Sequence, residues 1–445
     1  MKISQSAQIK YENIDWLQNT TFDGTATPWY STTNGDLSDI AANGGNGMAN
    51  CSVLGEQGSI SIVANPPNSS EWKKFNNTAF PVLPNQGCGI DSAGCWASHI
   101  WDEDGPFQET GQTPSVHWKR NITMPVNMSD YEITSATLSA IVNASVLQDI
   151  DCPGDTNSGG TDGNLNGKVY DYVRFYVLIS DLEGIREYEV AYNKTTYLGA
   201  GDSVAQTSIM PDTYLITVSE EDLIFYLTSV LESDHYNFTI TLGIFIYCED
   251  NDPDYELDTW TSLRIKFFNL TFSYTKKINR FSTIAWNQIG NKLPTPPENG
   301  SLKIDSAILE FKCRIDQDWI TDSPNSEIRI LINGYIHTET IKLNLLNNSF
   351  QTAKSGGFDV TSLIAKDVNI TVSIQVYLAD NFRLSTNRTI SLDNVTLKIT
   401  YTMFYESEIP PGPNYLWLII LLGTIIAGLL AAWATYQFYL SLIHI

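Results

Sequence analysis

The chain contains two copies of one ordered series of segments in which apolar and polar residues alternate. Four segments of the first copy recur in the same order in the second, which indicates an internal repeat. Alternation with a period of two is typical of half-buried β-strands. The matched pairs are 133–138 with 304–309, 173–179 with 328–332, 237–246 with 369–378, and 269–274 with 394–399.

The repeat predicts an all-β protein with two tandem antiparallel β-sandwich, jelly-roll-like domains, because Gly, Pro, Asn and Asp residues separate the predicted strands. A length of 445 residues also exceeds one ordinary domain. Ser219 is predicted to cap a short helix. The expected boundaries are an N-terminal extension at 1–18, a first sandwich with long loops at 19–277, a second sandwich at 283–404 and a Pro-rich linker at 405–414.

An uncharged apolar segment follows the linker. No charged side chain occurs from residue 415 to residue 436, and about 20 apolar residues are enough to cross a bilayer as a helix. Tyr415 and Trp417 at one end and Trp433 and Tyr436 at the other resemble the aromatic belts of membrane interfaces. A buried core helix would be shorter and less uniform, so we expect a transmembrane helix at 415–439.

The sequence gives two readings of the side of the membrane on which the N-terminal part lies. Residues 1–18 contain no apolar signal-peptide core, so either the N-terminus has been removed or the protein is tail-anchored and faces the cytosol. Chance predicts about six N-glycosylation acceptors, and the excess favours a single-pass cell-membrane glycoprotein with its N-terminal part outside. The fifteen acceptors are Asn19, Asn50, Asn68, Asn76, Asn121, Asn127, Asn143, Asn193, Asn237, Asn269, Asn299, Asn347, Asn369, Asn387 and Asn394.

The last six residues are treated separately. Residues 440–445 read Leu-Ser-Leu-Ile-His-Ile and resemble translated sequencing-adapter read-through. They are interpreted as a suspected sequence artefact and excluded from the fold prediction. A cytoplasmic segment could then be missing from the sequence.

Charge and motifs exclude several classes of function. The formal net charge is −24, and the basic residues are scattered, whereas nucleic-acid binding needs a clustered positive surface. The sequence contains no HExxH, GxSxG or P-loop motif, so we expect a protein that is not an enzyme. A pair of glycosidase carboxylates remains open, because sequence does not show which of the many acidic residues meet in space.

Short motifs at both ends of the β-rich region suggest a family. The segment Asn19-Thr-Thr-Phe-Asp-Gly, with Trp29 soon after, resembles the start of jelly-roll carbohydrate-binding and galactose-binding-like modules. Leu392-Asp-Asn-Val-Thr-Leu loosely resembles the Asp-x-Val/Ile motif of their last strand. The resemblance implies β-sandwiches and carbohydrate binding, but it assigns no ligand residue, since ligand positions vary in these modules.

Two acidic loops are candidates for calcium binding. The segment 162–167 matches the first half of a calcium loop, but Val173 at the twelfth position excludes a complete EF-hand. A predicted disulfide between Cys152 and Cys248 would bring the two loops together. The alternative is that both are solvated surface loops. The candidate ligands are Asp149, Asp151, Asp155, Asp162, Asn164, Asn166, Asp250, Asp252 and Asp254.

A second candidate site combines tryptophans with acidic residues. Trp96 and Trp101 could stack on sugar rings while Asp102 and Asp104 accept hydrogen bonds from hydroxyl groups. Cys88 and Cys95 are close enough in sequence for a disulfide that closes the loop. The favoured alternative is that both tryptophans fill the core.

Three functional hypotheses remain. The leading one is a cell-surface binding or adhesion protein whose sandwiches recognise a glycan or a partner surface. The second is a structural surface-coat protein or a receptor ectodomain that binds no glycan. The third is a glycan-cleaving enzyme. The sequence identifies neither the ligand nor the oligomeric state.

Overall fold

A computed structural model shows antiparallel sheets and one long C-terminal helix, which confirms the all-β fold class. Strands form where the sequence alternates apolar and polar residues, because one face of each strand can then be buried. The predicted strands at 237–246 and 369–378 both form. The structure describes residues 4–24, 27–45, 47–103, 111–148, 171–199, 206–249, 256–298, 300–408 and 415–443.

The elements follow the chain in three groups. The first group is β1 (Ser4–Asp15), β2 (Tyr30–Asn34), β3 (Ile40–Gly45) and β4 (Met48–Val53). The second is β5 (Gln57–Ala64), β6 (Lys73–Phe75), β7 (Gly87–Asp91), β8 (Gly94–Glu103), β9 (Gly111–Gln112), β10 (Ser115–Thr123), β11 (Tyr131–Gln148), β12 (Asp171–Ser180), β13 (Glu187–Gly199), β14 (Gln206–Tyr214), β15 (Ile216–Thr217), α1 (Glu220–Leu231), β16 (Asn237–Glu249) and β17 (Glu256–Ile278). The third is β18 (Thr283–Ile289), β19 (Ser301–Ile315), β20 (Glu327–Ile332), β21 (Tyr335–Ile336), β22 (Ile341–Lys342), β23 (Gln351–Thr352), β24 (Phe358–Asp359), β25 (Thr371–Tyr377), β26 (Phe382–Leu384), β27 (Arg388–Glu408) and α2 (Leu416–Ile443).

The described chain has two hydrophobic cores, and they divide it differently from the prediction. One core is built from β5 to β17, here called the inserted sandwich. The other is built from β1 to β4 together with β18 to β27, here called the host sandwich. The predicted boundaries at 1–18 and 19–277 are therefore wrong, because residues 4–53 pair and pack with the second repeat. The first repeat is an insertion into the second.

Each sandwich consists of two sheets. In the inserted sandwich the sheets have the orders β15-β13-β12-β16-β10-β6 and β14-β11-β17-β8-β7, with β5 also paired to β17. In the host sandwich they are β23-β19-β27-β4-β3, with β1 on β27, and β2-β18-β25-β20-β21. Alternate residues of each strand are buried between the sheets, and their apolar area is the main source of stability. The outward residues are free for other roles.

Equivalent irregularities confirm that the two sandwiches are copies of one unit. Ile133 pairs with Tyr274 in the inserted sandwich, and Ile304 pairs with Tyr401 in the host. Both ladders shift register immediately after that pair, at the same place in the repeat. The pairing also makes Tyr274 equivalent to Tyr401, so the fourth sequence match was displaced by two residues.

A buried tryptophan marks the same position in each copy. Trp118 of β10 pairs with Leu242, and Trp286 of β18 pairs with Ile374. Both indole rings are buried. The duplication therefore extends to the core and was not limited to the four segments visible in the sequence.

The motifs that suggested a carbohydrate-binding module meet in the host sandwich. Phe22 is fully buried, 5.1 Å from the Trp29 ring and 6.0 Å from the Trp286 ring. The backbone N–H of Val395, in the last strand, donates to the Thr20 carbonyl at 2.9 Å. The opening and closing motifs are thus neighbours in space, although about 370 residues separate them in the chain.

The two helices form where the sequence predicts them. Ser219 caps α1 by accepting a hydrogen bond from the Asp222 N–H at 3.1 Å, which satisfies one unpaired donor of the first turn. Among the described residues, α2 is the one helix long and apolar enough to cross a membrane, over Leu416–Leu440. None of that span is buried against the protein.

Candidate functional site

An open cleft of about 370 Å³ lies on the outward face of the inserted sandwich. Its floor is the central pair of strands, β12 and β16, because residues of alternating position on these strands point away from the core. Tyr172, Arg174 and Tyr176 are outward residues of β12, and Phe245 is an outward residue of β16. Glu187 and Glu189 of β13 complete one side.

The centre of the floor is the ring of Tyr176, which lies flat over Gly243. A Cβ atom at position 243 would overlap that ring, so the position requires glycine. The Tyr176 hydroxyl contacts His117 Nε2 and lies 3.5 Å from Asn77 Nδ2, which donates to it. Asn77 also donates to the Ser115 hydroxyl at 3.0 Å. These contacts hold the floor in one conformation.

Burial keeps the polar groups of the floor uncharged. Burial lowers the pKa of His117 to about 4, with a smaller contribution from Lys119. Burial also raises the pKa of Tyr176 to about 12. The imidazole and the phenol are therefore both neutral at pH 7, and they present hydrogen-bonding groups without charge.

One ion pair provides fixed charge in the cleft. Arg174 Nη2 donates to both carboxylate oxygens of Glu189, at 2.7 and 2.6 Å. The guanidinium carbon lies 5.7 Å from the Tyr176 ring and 5.9 Å from the Tyr192 ring, within cation–π range. The aromatic rings and the carboxylate orient the guanidinium, whose remaining N–H groups are donors for a ligand.

Aromatic rings line the outer part of the cleft. Tyr172 stacks on Tyr247 with centroids 5.2 Å apart and lies 6.0 Å from Phe245. Phe80 packs edge-on against Phe245 at 4.9 Å. The Lys194 ammonium lies 3.8 Å from the centroid of the Tyr172 ring. The cleft therefore combines apolar ring faces with charged hydrogen-bonding groups.

The equivalent face of the host sandwich is built differently. By strand register Glu327 corresponds to Arg174 and Tyr377 to Phe245. Glu327 accepts hydrogen bonds from Arg329 at 2.8 Å and from Lys342 at 2.7 Å, and the Arg329 guanidinium lies 3.4 Å from the Tyr377 ring centroid. These groups satisfy one another, so the host face offers fewer open groups to a ligand.

The predicted tryptophan site does not form one platform. Trp96 and Trp101 are an odd number of residues apart on β8, so their side chains point to opposite faces of the sheet. Trp101 is 5% exposed and belongs to the core, as the alternative prediction held. Trp96 lies on the outer face, against Gly87 and Gly89. The side chain of Asp102 and the whole of Asp104 lie outside the described residues.

The predicted Cys88–Cys95 disulfide is absent, and both residues are free thiols. In the β7–β8 hairpin Cys88 faces Ala97, and Cys95 faces Ile90. The two cysteines are therefore diagonal neighbours, about 7–8 Å apart in such a ladder, which is too far for a disulfide.

The predicted calcium ligands Asp149, Asp151, Asp155, Asp162, Asn164, Asn166, Asp250, Asp252 and Asp254 lie outside the described residues, as does Cys152. The described part of the chain contains no group of three or more His, Cys, Asp or Glu residues that could hold a metal. Cys248 is buried, with its sulfur 3.4 Å from His99 Nε2. The Cys152–Cys248 disulfide stays a prediction.

Sequence analysis missed the residues of the cleft, although a signal was present. Arg174 and Tyr176 alternate within the segment 173–179, which the sequence predicts as a strand, and Tyr172 continues the row one residue before it. Such a row of aromatic and charged side chains on the solvent face of one strand is a signal that the side chains could act together. Glu187 and Glu189 show the same spacing on the next strand. Only the strand register shows that the two rows are adjacent.

No family model matches the chain, and no curated protein sequence matches it. Several solved structures are similar over large parts of the chain at low identity. A protein from Parabacteroides distasonis described as secreted is 9% identical with a TM-score of 0.21, covering 76% of this chain and 99% of that one. A carbohydrate-binding module of the β-sandwich superfamily is 7% identical with a TM-score of 0.18, covering 60% and 74%.

A third similar structure is truncated AlyQ, which has CBM32 and alginate lyase domains. It is 7% identical with a TM-score of 0.13, covering 79% of this chain and 100% of that one. Of these three structures, one is described as a secreted protein and one as a carbohydrate-binding module. At such TM-scores they carry no functional argument, so function is assigned from the residues of the cleft.

Proposed function

We propose that this protein is a membrane-anchored surface protein that binds glycans in the cleft of the inserted sandwich. The observation that carries the proposal is the pairing of ring faces with a fixed guanidinium–carboxylate pair in one outward cleft. Phe245, with Tyr172 and Phe80 beside it, supplies the apolar ring surface, and Arg174 with Glu189 supplies the charges.

A sugar ring has the features that this surface complements. Its C–H faces are apolar and stack on aromatic rings, while its hydroxyl groups both donate and accept hydrogen bonds. Arg174 can donate to sugar oxygens, and the exposed Glu187 can accept from hydroxyl groups. An open cleft also suits a chain of sugars better than a small enclosed ligand.

Binding without cleavage is the form of this function that the cleft favours. Glycoside hydrolysis ordinarily needs two carboxyl groups beside the scissile bond. Of the two carboxylates lining the cleft, Glu189 is bound through both oxygens by Arg174. Glu187 is then left without a second free carboxylate beside it on the described surface.

The proposed location is the cell membrane, with both sandwiches outside the cell. The apolar, unburied span of α2 supports the anchor. The acceptor asparagines support the outside location, since none of the fourteen described ones is buried; Asn299 lies outside the described residues.

The proposal is tested by screening the detergent-solubilised full chain on a glycan array, followed by a search for hydrolysis products of any glycan that binds. We expect binding without products. Arg174→Gln should weaken binding by tenfold or more, since a hydrogen bond to a charged group contributes about 1.5–3 kcal/mol. Lys398→Gln, which removes an exposed ion pair with Glu310 in the host sandwich, is the matched control and should bind normally.

The absence of binding to any arrayed glycan, or equal binding by the Arg174→Gln variant, would overturn the assignment of the cleft. Released sugar products would instead support the enzyme hypothesis. A chain that binds no glycan but remains folded and surface-exposed on cells would fit a structural coat or receptor.

A further inference from the structure

The membrane anchor and the cleft lie at opposite ends of the described ectodomain. β27 ends at Glu408, seven residues before Tyr415 at the start of the membrane segment. At that end of the host sandwich Glu408 pairs with Ser4, and Phe404 pairs with Ser301. This end is therefore the one nearest the bilayer, because seven residues span at most about 25 Å.

The inserted sandwich is attached to the other end of the host. Arg388, at the start of β27, pairs with Val53, and the chain crosses to the inserted sandwich immediately after that residue. Glu56 N–H donates to the Leu384 carbonyl at 3.0 Å. The return crossing is beside it, since Lys276 pairs with Leu384. Both crossings are thus a full length of β27 away from Glu408, about 65 Å at 3.3 Å per residue.

Within the inserted sandwich the cleft lies beyond this junction. The Asn237 end of β16 is near the junction, because the adjacent His235 and Lys277 line one pocket. The strand then runs away from the host, and Phe245 and Tyr247 lie in its far half. Tyr172 pairs with Tyr247 there.

The junction is a paired and buried structure within the described chain. β17 and β26 continue the sheet across it through three paired residues on each strand. Lys276 and Asp39, from opposite sandwiches, form an ion pair with side chains 8% and 1% exposed. The Tyr131 hydroxyl, from the inserted sandwich, donates to the carboxylate of Glu56 at the crossing. Bending the inserted sandwich back toward the membrane would break these contacts.

We infer that the cleft takes glycans carried by an opposing surface, in trans, and does not take glycolipids of its own membrane. The ligand and the membrane anchor rest on the proposed function, whereas the position of the cleft relative to the C-terminal helix rests on strand register and on the contacts at the junction. A sugar on a lipid of the same bilayer would have to extend past the whole host sandwich. A sugar on a facing cell, particle or matrix meets the cleft first.

The placement is tested by energy transfer, with the full chain in vesicles that contain an acceptor-labelled lipid. Donor dyes are introduced through an unnatural amino acid at Lys303, on the host near Ser301, or at Ile209, an exposed residue of the inserted sandwich outside the cleft. We expect strong quenching from position 303 and almost unchanged donor intensity at position 209. Equal quenching at both positions would overturn the inference.

The partner is tested by passing the same vesicles over the glycan array used for the solubilised chain. We expect the vesicles to bind the spots that bind the solubilised chain, because the cleft would extend beyond the bilayer. Spots that capture the solubilised chain but never the vesicles would overturn binding in trans. If neither binds, the proposed function fails, and the energy transfer still decides the placement.

Discussion

Lys276 Nζ lies 3.6 Å from Asp39 Oδ1 across the junction of the two sandwiches, with both side chains buried. The second carboxylate oxygen of Asp39 accepts hydrogen bonds from the backbone and side-chain N–H groups of Asn279, at 2.8 and 3.2 Å. Burial raises the pKa of Asp39, whereas the hydrogen bonds from Asn279 and the positive charge of Lys276 lower it; the net direction is upward. The junction therefore depends on one buried charge remaining compensated.

Replacing Lys276 with methionine should destabilise the junction by about 3 kcal/mol at pH 7, because it leaves the Asp39 carboxylate buried without a cation. Thermal unfolding measures the effect. Adding Asp39→Asn to the same variant should restore much of the loss, since it removes the uncompensated charge. A double variant as unstable as Lys276→Met would show that lost packing, and not charge, is responsible.

Two glycine substitutions test whether glycans bind in the cleft or at the surface around Trp96. Gly243→Ala should displace the Tyr176 ring and weaken glycan binding severalfold or more, because the added Cβ overlaps the ring. Gly89→Ala is the matched control, since its Cβ would lie 3.3 Å from Trp96 on the opposite sheet. Array binding of both variants is compared after circular dichroism shows that they are folded. Loss in the Gly89 variant alone would move the site to Trp96.

Two buried histidines should make stability depend on pH. Burial lowers the pKa of both His99 and His117 to about 4, below the unfolded value of about 6.5. The unfolded chain therefore binds more protons between pH 6.5 and 4, and the free energy of unfolding falls as the pH falls through that range. The loss should be on the order of 2–3 kcal/mol per histidine.

Thermal unfolding of the full chain from pH 7.5 to 4.5 measures this dependence. The variant His99→Gln/His117→Gln should show a flatter profile, and an unchanged slope would exclude these two residues as its cause. Glycan binding by the unchanged protein should vary little from pH 8 to 5.5, because His117 stays neutral over that range.

The strands were predictable from the sequence, but the assembly of the sandwiches was not. Alternation identified β16 and β25, since a strand with one buried face must alternate. The insertion was not visible, because local patterns do not show that β4 pairs with β27, more than 300 residues later. The opening motif at Asn19 was therefore assigned to the wrong sandwich. It meets the last-strand motif in the host, where the Val395 N–H donates to the Thr20 carbonyl.

The cleft of the inserted sandwich was not predicted from the sequence, because its residues also meet only through strand pairing. Trp96 and Trp101 were predicted to act together because they are large aromatic residues close in sequence. They lie an odd number of residues apart on β8, so their side chains point to opposite faces of the sheet. Tyr172 and Phe245 were not connected, because they are 73 positions apart and meet only through the β12–β16 ladder. Side chains that act together on a sheet come from neighbouring strands, and sequence proximity is a poor guide to them.

The predicted calcium site in the two acidic loops stays a prediction, and so does the disulfide between them. The described strands that flank them end on the same side of the inserted sandwich, where Tyr172 pairs with Tyr247 and Leu147 with Thr259. The described strand ends that flank residues 149–170 and 250–255 therefore lie at the end of the inserted sandwich that faces away from the host. A disulfide between Cys152 and Cys248 would close a loop of nearly a hundred residues and stabilise the fold by about 4–5 kcal/mol. Peptide mapping without reduction should find this bridge.

Calcium should raise the melting temperature of the full chain, because many carboxylates near one another repel unless a cation neutralises them. A ligand at one hundred times its dissociation constant stabilises by about 2.7 kcal/mol. Differential scanning fluorimetry in millimolar calcium, against EDTA, measures the shift. The variant Asp250→Asn/Asp252→Asn/Asp254→Asn should lose it, whereas Asp318→Asn/Asp322→Asn in the host sandwich should keep it. An equal response of all three proteins, or no heat on calorimetric titration, would remove the predicted calcium site.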